Sequence, residues 1–133
     1  MKKKIIITGS SGNVSNYFYE KLKKRYDVLR LSRRQNLKDK IFYNTTDKIS
    51  KQNIFFLLHI SSYSPQSNSK NEQHKSYKIN EKLDNNILKI ISKNTIQNVI
   101  FFSSTSVYSD LERKKIVKKS FTYGYGKLSM EKK

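Results

Sequence analysis

The sequence predicts an α/β fold in which helices wind on both faces of a parallel sheet of about five strands. Short apolar runs rich in Ile, Phe and Val recur along the chain, and two segments between them carry apolar residues at helical spacing. A glycine turn separates the first apolar run from the first helical segment. Strands that alternate with helices form parallel sheets with right-handed crossovers. The 133 residues have the length of one domain, so we expect a single domain over residues 1–133.

The first half of the chain predicts four strands and one helix. The run KKKIIITGS is β-branched and ends in a turn signal, which is typical of a buried strand. In GNVSNYFYEKLKKRYDV apolar residues recur every four positions with charged residues between them, which predicts an amphipathic helix whose apolar face contains Val14, Phe18 and Leu22. The stretches DVLRLSRR, KIFYN and NIFFLLHISS predict the second, third and fourth strands.

The second half predicts a loop, a long helix and a fifth strand. The polar stretch YSPQSNSKNEQHKS contains the only proline, Pro65, and predicts a mobile loop. A helix through YKINEKLDNNILKIISK follows from one apolar face, formed by Ile79, Leu83, Ile87 and Ile90. NVIFFSSTSVYS then predicts a fifth strand that runs into a serine-rich end.

The composition argues against several classes of protein. Cysteine is absent and there are two histidines, so we expect no disulfide and no metal site. The basic start is followed by neither a long apolar core nor a small-residue cleavage site, which argues against a signal peptide. No apolar stretch approaches the roughly 20 residues of a membrane helix. We expect a soluble, cytoplasmic protein that does not contact the membrane.

The formal net charge of +18 is typical of proteins that bind polyanions. The lysines are scattered along nearly the whole sequence rather than gathered on one element, which favours a solvated basic surface over a nucleic-acid interface. We therefore do not expect nucleic acid as a partner. A non-catalytic basic protein that contacts nucleic acid or acidic surfaces remains the alternative.

The stretch TGSSGNVS lies where the first predicted strand passes to the first predicted helix. Backbone N–H groups at such a turn bind a pyrophosphate at the helix N-terminus. One glycine permits the turn and the second permits close approach of the backbone, while the third small position of a dinucleotide turn is Ser15. The predicted cofactor contacts in this stretch are Gly9, Ser11, Gly12, Asn13 and Val14. The alternative is an ordinary strand-to-helix turn.

Two of the four glycines stand in the sequence YGYGK, residues 123–127. A tyrosine and a lysine four positions apart lie on one helix face, so Tyr123 and Lys127 are able to act on the same small volume. Glycine inside a helix costs about 0.5–1 kcal/mol relative to alanine. Gly124 and Gly126 therefore predict close approach of a cofactor or of neighbouring backbone.

The motifs TGSSGNVS, LLHISS, YKIN, FFSSTSVYS and YGYGKLSMEK occur in an order that resembles the NAD(P)-dependent epimerase/dehydratase family, the extended short-chain dehydrogenase/reductases. The resemblance runs through essentially the entire chain. It implies a Rossmann-type fold, a bound NAD(P), and a catalytic trio of Ser104, Tyr123 and Lys127. A nucleotide-sugar is the family's commonest substrate, so the resemblance implies a small-molecule substrate with a reacting hydroxyl or carbonyl group.

The side chains of the trio suit proton and hydride transfer. A tyrosine hydroxyl has a pKa near 10, so action as a base at neutral pH needs a shift of about three units, or roughly 4 kcal/mol. The ammonium of a lysine one turn away and the positive charge of an oxidised nicotinamide both favour the phenolate. Ser104 is suited to hydrogen-bond the substrate oxygen. Each residue also has an ordinary alternative, as a strand-end serine, a packed aromatic ring or a surface lysine.

Three further positions follow from the resemblance. Ser61 and Ser62 in LLHISS replace the paired alanines that the family places beside the cofactor, and both remain small. Asn80 in YKIN matches an asparagine that supports the active-site helix. A buried asparagine that satisfies backbone groups explains Asn80 equally well.

The end of the second strand bears on the choice of cofactor. An acidic residue there binds the ribose 2′-hydroxyl of NAD, whereas an arginine accommodates the 2′-phosphate of NADP. Ser32 occupies the acidic position and is followed by Arg33 and Arg34. The sequence therefore favours NADP, with NAD as the alternative.

Family members are usually more than twice this length, and their C-terminal part supplies further strands and the substrate-binding region. We expect that part to be absent and the sheet to be incomplete at its C-terminal side. Two interpretations remain open: a truncated relative with little activity, and a half-domain that binds nucleotide and depends on a partner chain. A fifth strand without its usual neighbour leaves an exposed edge, so we also expect self-association.

Overall fold

The computed structural model describes residues 1–32, 40–42, 49–104, 107 and 122–133. In chain order the elements are β1 (Lys4–Thr8), α1 (Asn13–Leu22), β2 (Asp27–Ser32), β3 (Lys40–Phe42), β4 (Asn53–His59), α2 (Lys70–Lys93), β5 (Thr95–Phe101) and α3 (Tyr123–Glu131). The chain divides into two compact units. The first comprises Met1–Ser61 and Asn86–Phe102, and the second comprises Ser62–Asn85 and Ser103–Lys133.

The first unit is built on a parallel sheet of five strands in the order β3-β2-β1-β4-β5. In the register, Ile6 of β1 lies between Leu29 of β2 and Leu57 of β4. The chain builds outward through β2 and β3 and then returns to the other side of β1 for β4 and β5. The predicted α/β fold with about five parallel strands is confirmed. The reversal places the carboxyl ends of β1 and β4 side by side, which is where α/β proteins of this type bind ligands.

The apolar run of β1 forms the centre of the core, because a strand between two others in a covered sheet is buried on both faces. Ile5, Ile6 and Ile7 are all completely buried. Ile5 and Ile7 pack with Leu58 of β4, and Phe18 of α1 packs against the same cluster. Complete burial of a side chain of this size contributes roughly 1.5–3 kcal/mol.

The apolar face of α1 is narrower than the sequence predicts. Phe18 and Leu22 pack against the core, but the side chain of Val14 is half-exposed, so the prediction was wrong for this residue. Val14 lies in the first turn of α1, next to the glycine turn. The packed apolar face therefore begins one turn later, and Val14 is left at the surface.

Asn94 connects the end of α2 to the segment that precedes β4. Its side-chain oxygen accepts a hydrogen bond from the Gln52 backbone N–H at 3.0 Å. Its amide nitrogen donates to the carbonyl oxygens of Ile49 and Ile90 at 2.9 and 2.7 Å. One side chain thus satisfies a helix-terminal carbonyl and two loop backbone groups, which fixes where β4 begins.

The helix α2 begins earlier than the sequence analysis predicted. The predicted loop YSPQSNSKNEQHKS was wrong in its second half, because α2 starts at Lys70. Ser69 precedes the helix, and its hydroxyl oxygen accepts a hydrogen bond from the Glu72 backbone N–H at 3.3 Å. A serine followed three residues later by glutamate is a helix-start signal that the sequence contains. Although α2 is 24 residues long, none of the helices in the described ranges is apolar over enough of its length to cross a bilayer.

The fifth strand also differs in its bounds, since β5 starts at Thr95 and ends at Phe101. It lies at one edge of the described sheet and pairs with β4. Val99 and Ile100 are 45% and 42% exposed, which is unusual for β-branched residues in a parallel sheet. The expected bare edge and the expected self-association both stay predictions.

Candidate functional site

The glycine turn between β1 and α1 requires glycine at its first position. Gly9 has a φ of +69°, in the left-handed region that L-residues rarely adopt. A Cβ atom there would lie 3.0 Å from the Ser61 Cα and 3.1 Å from the Ser61 nitrogen. Since backbone atoms cannot move aside as a flexible side chain does, both conformation and space demand glycine here.

The second glycine has a different status. Gly12 is the residue that precedes α1, with φ −88° and ψ 158°, an extended conformation open to any residue. Its N–H donates to the Gly9 carbonyl at 2.9 Å, and a Cβ atom would meet that same oxygen at 3.4 Å. In the described structure, the first turn of α1 has no side-chain cap and no acidic residue. Internal packing therefore does not explain why Gly12 is glycine.

Ser15, at the third small position of the turn motif, is 1% exposed. Its hydroxyl donates a hydrogen bond to the Thr8 carbonyl at 2.9 Å. The buried hydroxyl is thus satisfied by the last residue of β1, so serine holds the first turn of α1 against the strand in the place where a glycine is usual.

Thr8, which the sequence analysis did not single out, joins the ends of β1 and β4. Its completely buried hydroxyl oxygen accepts hydrogen bonds from the N–H groups of Ile60 and Ser61 at 3.0 and 2.9 Å. It also lies 2.9 Å from Nδ1 of His59. Because both lone pairs of the hydroxyl receive N–H groups, its own proton is donated to the imidazole nitrogen. Thr8 thereby fixes Ser61, which is 6% exposed, beside Gly9.

Arg30 is a second residue that the sequence analysis missed. It stands in β2, is 7% exposed, and donates from Nη2 to the Ser10 carbonyl at 2.6 Å and to the Asn16 side-chain oxygen. Its guanidinium lies 4.2 Å from the centroid of the Tyr19 ring. Arg30 thus ties the glycine turn to α1. A charged residue inside the apolar strand DVLRLS was the available signal.

Of the residues that bear on the choice between NAD and NADP, the structure describes Ser32. Ser32 is the last residue of β2 and is 1% exposed. Arg33 and Arg34 lie outside the described residues. The NADP prediction therefore stays a prediction from sequence.

In the second unit, a cavity of about 460 Å³ lies at the start of α3. Ser104 and Tyr123 both line it, and both are half-buried. The hydroxyl of Ser62 donates to the Tyr123 hydroxyl oxygen at 3.3 Å. The other lining residues are Ser64, Pro65, Asn68, Gln73, Thr122 and Gly124. Two members of the predicted trio thus face one space.

Lys127 lies beside Tyr123 but is absent from the lining of this cavity. Its Nζ is 5.9 Å from the centroid of the Tyr123 ring, as the four-residue spacing predicts. The side chain is 4% exposed, so it is not a surface lysine. Burial lowers the pKa of Lys127 below its ordinary value, and the charges of Tyr123 and Asp84 oppose that shift.

The start of α3 is held by α2 and by its own cap. Gln73 of α2, which the sequence analysis missed, accepts a hydrogen bond from the Tyr123 N–H at 3.2 Å. Thr122 caps the helix by accepting from the Tyr125 N–H at 3.3 Å. A Cβ atom on Gly126 would lie 3.4 Å from the Tyr77 ring. This separation is an ordinary van der Waals contact, so packing of α3 on α2 does not require glycine at position 126, and the expected close approach of a cofactor or of neighbouring backbone stays a prediction.

Asn80 secures the segment that follows Ser62. Its side-chain oxygen accepts from the Tyr63 N–H at 2.7 Å, and its amide donates to the Tyr63 carbonyl at 3.0 Å. Ser76 donates to that same carbonyl at 2.6 Å. The asparagine is 3% exposed and satisfies both backbone groups of one residue, as the structural alternative predicted. This pairing holds the residues around Tyr63 on α2.

The profile of the NAD dependent epimerase/dehydratase family matches residues 5–132. No curated protein matches the sequence significantly. Among solved structures, the chain is similar to a UDP-glucose 4-epimerase from Bifidobacterium longum in complex with NAD+ and UDP. The TM-score is 0.73 at 20% identity, and the match covers 98% of this chain and 47% of that one.

Two further structures have a similar fold. A short-chain dehydrogenase/reductase superfamily protein from Agrobacterium tumefaciens with bound NAD has a TM-score of 0.70 at 20% identity, with coverage of 97% of this chain and 43% of that one. A human epimerase family protein with NADPH has a TM-score of 0.70 at 12% identity, with coverage of 97% and 48%. Such low identities support a shared fold alone. The chain spans about half the length of the structures it matches.

The two glycines of the turn are predicted to differ in their effect on stability. Gly9→Ala forces a left-handed alanine against the Ser61 backbone and should lower the free energy of unfolding by about 2 kcal/mol or more. Gly12→Asn is the matched control, since Asn is a favourable residue before a helix and should change stability by less than about 0.5 kcal/mol. Urea denaturation followed by circular dichroism measures both. Equal losses from the two variants would contradict this geometry.

Lys127 is predicted to titrate below the solvent-exposed lysines of the same chain, because burial lowers its pKa. Asp84→Asn removes a carboxylate whose charge raises that pKa, so the variant should move it further down. Side-chain NMR titration of labelled lysine measures both shifts, with the exposed lysines in the same spectrum as reference. Titration of Lys127 together with the exposed lysines, or an upward shift in the variant, would show that the ammonium is not buried as described.

Proposed function

The chain belongs to the NAD dependent epimerase/dehydratase family, and from this membership we propose that its glycine turn binds a nicotinamide dinucleotide. The proposed function of the protein is that of an oxidoreductase or epimerase-like domain that acts on a hydroxyl or carbonyl group of its substrate. The proposal rests on the structure at the start of α1. The helix follows Gly12, which packing does not require to be glycine, and its first turn has no side-chain cap in the described structure.

The residues of the turn fit a pyrophosphate. The backbone N–H groups of the first turn of α1 carry a partial positive charge of roughly half a unit, which attracts anions. The stretch from Ser11 to Val14 is exposed, so a ligand can reach these groups. The buried hydroxyl of Ser10 has no hydrogen-bond partner among the described residues, so it adds another group in the same turn that is able to hydrogen-bond a ligand. We assign the pyrophosphate contacts to Gly9, Ser11, Gly12, Asn13 and Val14.

We assign the adenosine ribose to the end of β2. Ser32 is small, buried and uncharged, so it offers no carboxylate for the two ribose hydroxyls of NAD. Arg33 follows it in the sequence and suits the 2′-phosphate of NADP. NADP is therefore the proposed cofactor, with NAD as the alternative. Ser61 is the proposed backbone contact at the end of β4, and Ser62, the next residue in the sequence, is proposed as a second one.

For the chemistry we propose the trio Ser104, Tyr123 and Lys127. A bound nicotinamide dinucleotide would supply the hydride acceptor or donor. Tyr123 takes the proton from the substrate hydroxyl as the carbon loses its hydride, and returns it in the reverse direction. Ser104 donates a hydrogen bond to the reacting substrate oxygen. The Lys127 ammonium lies 5.9 Å from the centroid of the Tyr123 ring, and the Ser62 hydroxyl donates to the Tyr123 hydroxyl oxygen at 3.3 Å, so both lie beside the proposed proton-transfer group.

The proposed substrate is a nucleotide-sugar. Two proteins of similar fold are a UDP-glucose 4-epimerase, solved in complex with UDP, and a protein solved in complex with UDP-glucose and NAD. The cavity that Ser104 and Tyr123 share has polar walls of serine, asparagine, glutamine and threonine side chains, which suit the hydroxyl groups of a sugar.

Cofactor binding tests the first half of the proposal. The chain should bind NADPH more tightly than NADH in a fluorescence titration, and Arg33→Ala should remove the preference. Gly12→Asn, which keeps the fold, should weaken both by at least about tenfold, because its side chain occupies the surface where the pyrophosphate approaches. Gly12→Asp should weaken them more, because it adds a like charge. Unchanged binding by the Gly12 variants would exclude the turn, and equal or tighter NADH binding would exclude the NADP assignment.

Turnover tests the second half. With UDP-glucose and NADP+ or NAD+, Tyr123→Phe should lower kcat by about 100-fold or more, the usual contribution of a general acid–base group. Tyr125→Phe is the matched control, since Tyr125 stands two residues on in α3 and does not line the cavity. Activity that survives Tyr123→Phe, or that falls equally in both variants, would remove Tyr123 from the reaction. Cofactor binding without turnover by the wild-type chain would leave a non-catalytic dinucleotide-binding protein.

A further inference from the structure

The amino edge of the sheet in the first unit collects residues that are far apart in the sequence. The residues before β1, the turn between α1 and β2, and the residues before β4 and β5 all meet there. The Asp27 N–H donates to the Lys3 carbonyl at 3.0 Å, and the Lys51 N–H donates to the Lys93 carbonyl at 2.9 Å. The Lys2 ammonium also reaches the Lys23 carbonyl at 3.4 Å. Backbone bonds thus hold several basic segments side by side.

This edge is strongly basic. The eight cationic side chains on these segments are Lys2, Lys3, Lys4, Lys23, Lys24, Arg25, Lys51 and Lys93. All except Lys4 are exposed. Among the described ion pairs, Asp27 lies 3.9 Å from Lys4 and Glu20 lies 2.6 Å from Lys23. Lysines that look scattered in the sequence therefore form one surface, which we call the basic edge.

A cavity of about 440 Å³ opens within the basic edge. Phe55 lies in its wall, the Lys3 ammonium is 4.0 Å from the centroid of the Phe55 ring, and the Tyr26 ring stacks at 6.1 Å. The amide side chains of Asn53 and Gln97 line the same cavity. Cations suit phosphates, an aromatic ring suits a base face, and amides suit the hydrogen-bonding edge of a base.

We propose that the basic edge binds single-stranded nucleic acid, with phosphates on the lysines and arginine and a base in the cavity beside Phe55. An acidic peptide or an anionic lipid surface would use the cations alone, whereas an aromatic ring and two amides in the same cavity favour a ligand that also carries bases. The basic edge lies at the amino end of β1 and the glycine turn at its carboxyl end, roughly 13 Å apart along a strand of five residues. We therefore expect nucleic acid and dinucleotide to bind at separate sites.

The charge contribution is tested on the full chain with fluorescein-labelled oligo(dT) and oligo(U) by anisotropy. Each phosphate contact is worth about fivefold in affinity near 0.1 M salt, so joint replacement of Lys3, Lys24 and Arg25 by Gln should weaken binding on the order of 100-fold. The slope of log affinity against log salt should fall by about 2. Should the triple variant lose its fold by circular dichroism, Lys3→Gln alone should weaken binding about fivefold.

The matched control replaces Lys78, Lys82 and Lys132 by Gln, three exposed lysines of the second unit. It carries the same net charge as the first triple variant and should bind within about threefold of the wild-type chain, since long-range charge is screened at this salt concentration. Equal weakening by both triple variants would mean that the net charge binds the oligonucleotide, and would overturn the assignment to the basic edge.

The base contribution is tested with Phe55→Leu, which keeps an apolar side chain against the core. It should weaken oligo(dT) binding about fivefold or more and leave heparin, a polyanion without bases, unchanged. An equal effect on both, or binding to anionic phosphatidylserine vesicles without binding to oligonucleotides, would overturn the nucleic-acid assignment. Saturating NADP should leave oligonucleotide affinity unchanged, and displacement by NADP would place the oligonucleotide on the glycine turn instead.

Discussion

The hydroxyl of Thr8 joins the two central strands at the point where both end. By accepting the N–H groups of Ile60 and Ser61 it draws the chain after β4 against the turn after β1. That closeness is what leaves no room for a Cβ atom on Gly9, whose left-handed conformation turns the chain from strand to helix. Ser15 then bonds back to the Thr8 carbonyl. One buried residue thus contacts the end of β4, the glycine turn and the first turn of α1.

What remains after this packing is a surface that the fold itself does not use. The start of α1 is exposed, it has no side-chain cap in the described structure, and it follows Gly12, which has no internal need to be glycine. Arg30 of β2 fixes the turn by donating hydrogen bonds to the Ser10 carbonyl and to the Asn16 side-chain oxygen. Rigid positioning of donors before a ligand arrives reduces the entropy that binding must overcome, so this turn is suited to hold a pyrophosphate.

Much of the first unit could be predicted from sequence because its signals are local. The buried run IIIT predicted β1, and TGSSG predicted the turn. Predictions failed where two local signals competed or where contacts were remote. The polar stretch that contains Pro65 predicted a loop, although the spacing of Ser69 and Glu72 within it is a helix-start signal. Val14 fitted the helical spacing of the apolar face, but it lies in the first turn of α1, next to the exposed glycine turn. Gly126 lies against the Tyr77 ring, about 50 residues earlier, and no local pattern contains such a contact.

The charge shows the same limit on a larger scale. Lys3, Lys24, Lys51 and Lys93 look unrelated in the sequence, and the pairing of strands brings their segments to one edge. In the second unit, the pairing of Tyr123 and Lys127 could be predicted from their spacing. The burial of Lys127 and the charge of Asp84 that acts on it could not, because both depend on contacts that are remote in the sequence. Spacing predicts which residues share a face, and only the fold determines how much water reaches them.

Amide NMR during an NADP titration is the most direct test of dinucleotide binding at the glycine turn. If the turn binds NADP, the backbone signals of Ser11, Gly12 and Asn13 shift with saturation, while those of Lys3 and Lys24 stay in place. Saturable shifts confined to the basic edge, or an absence of shifts at the turn in the presence of saturating NADP and NAD, would contradict binding at the turn.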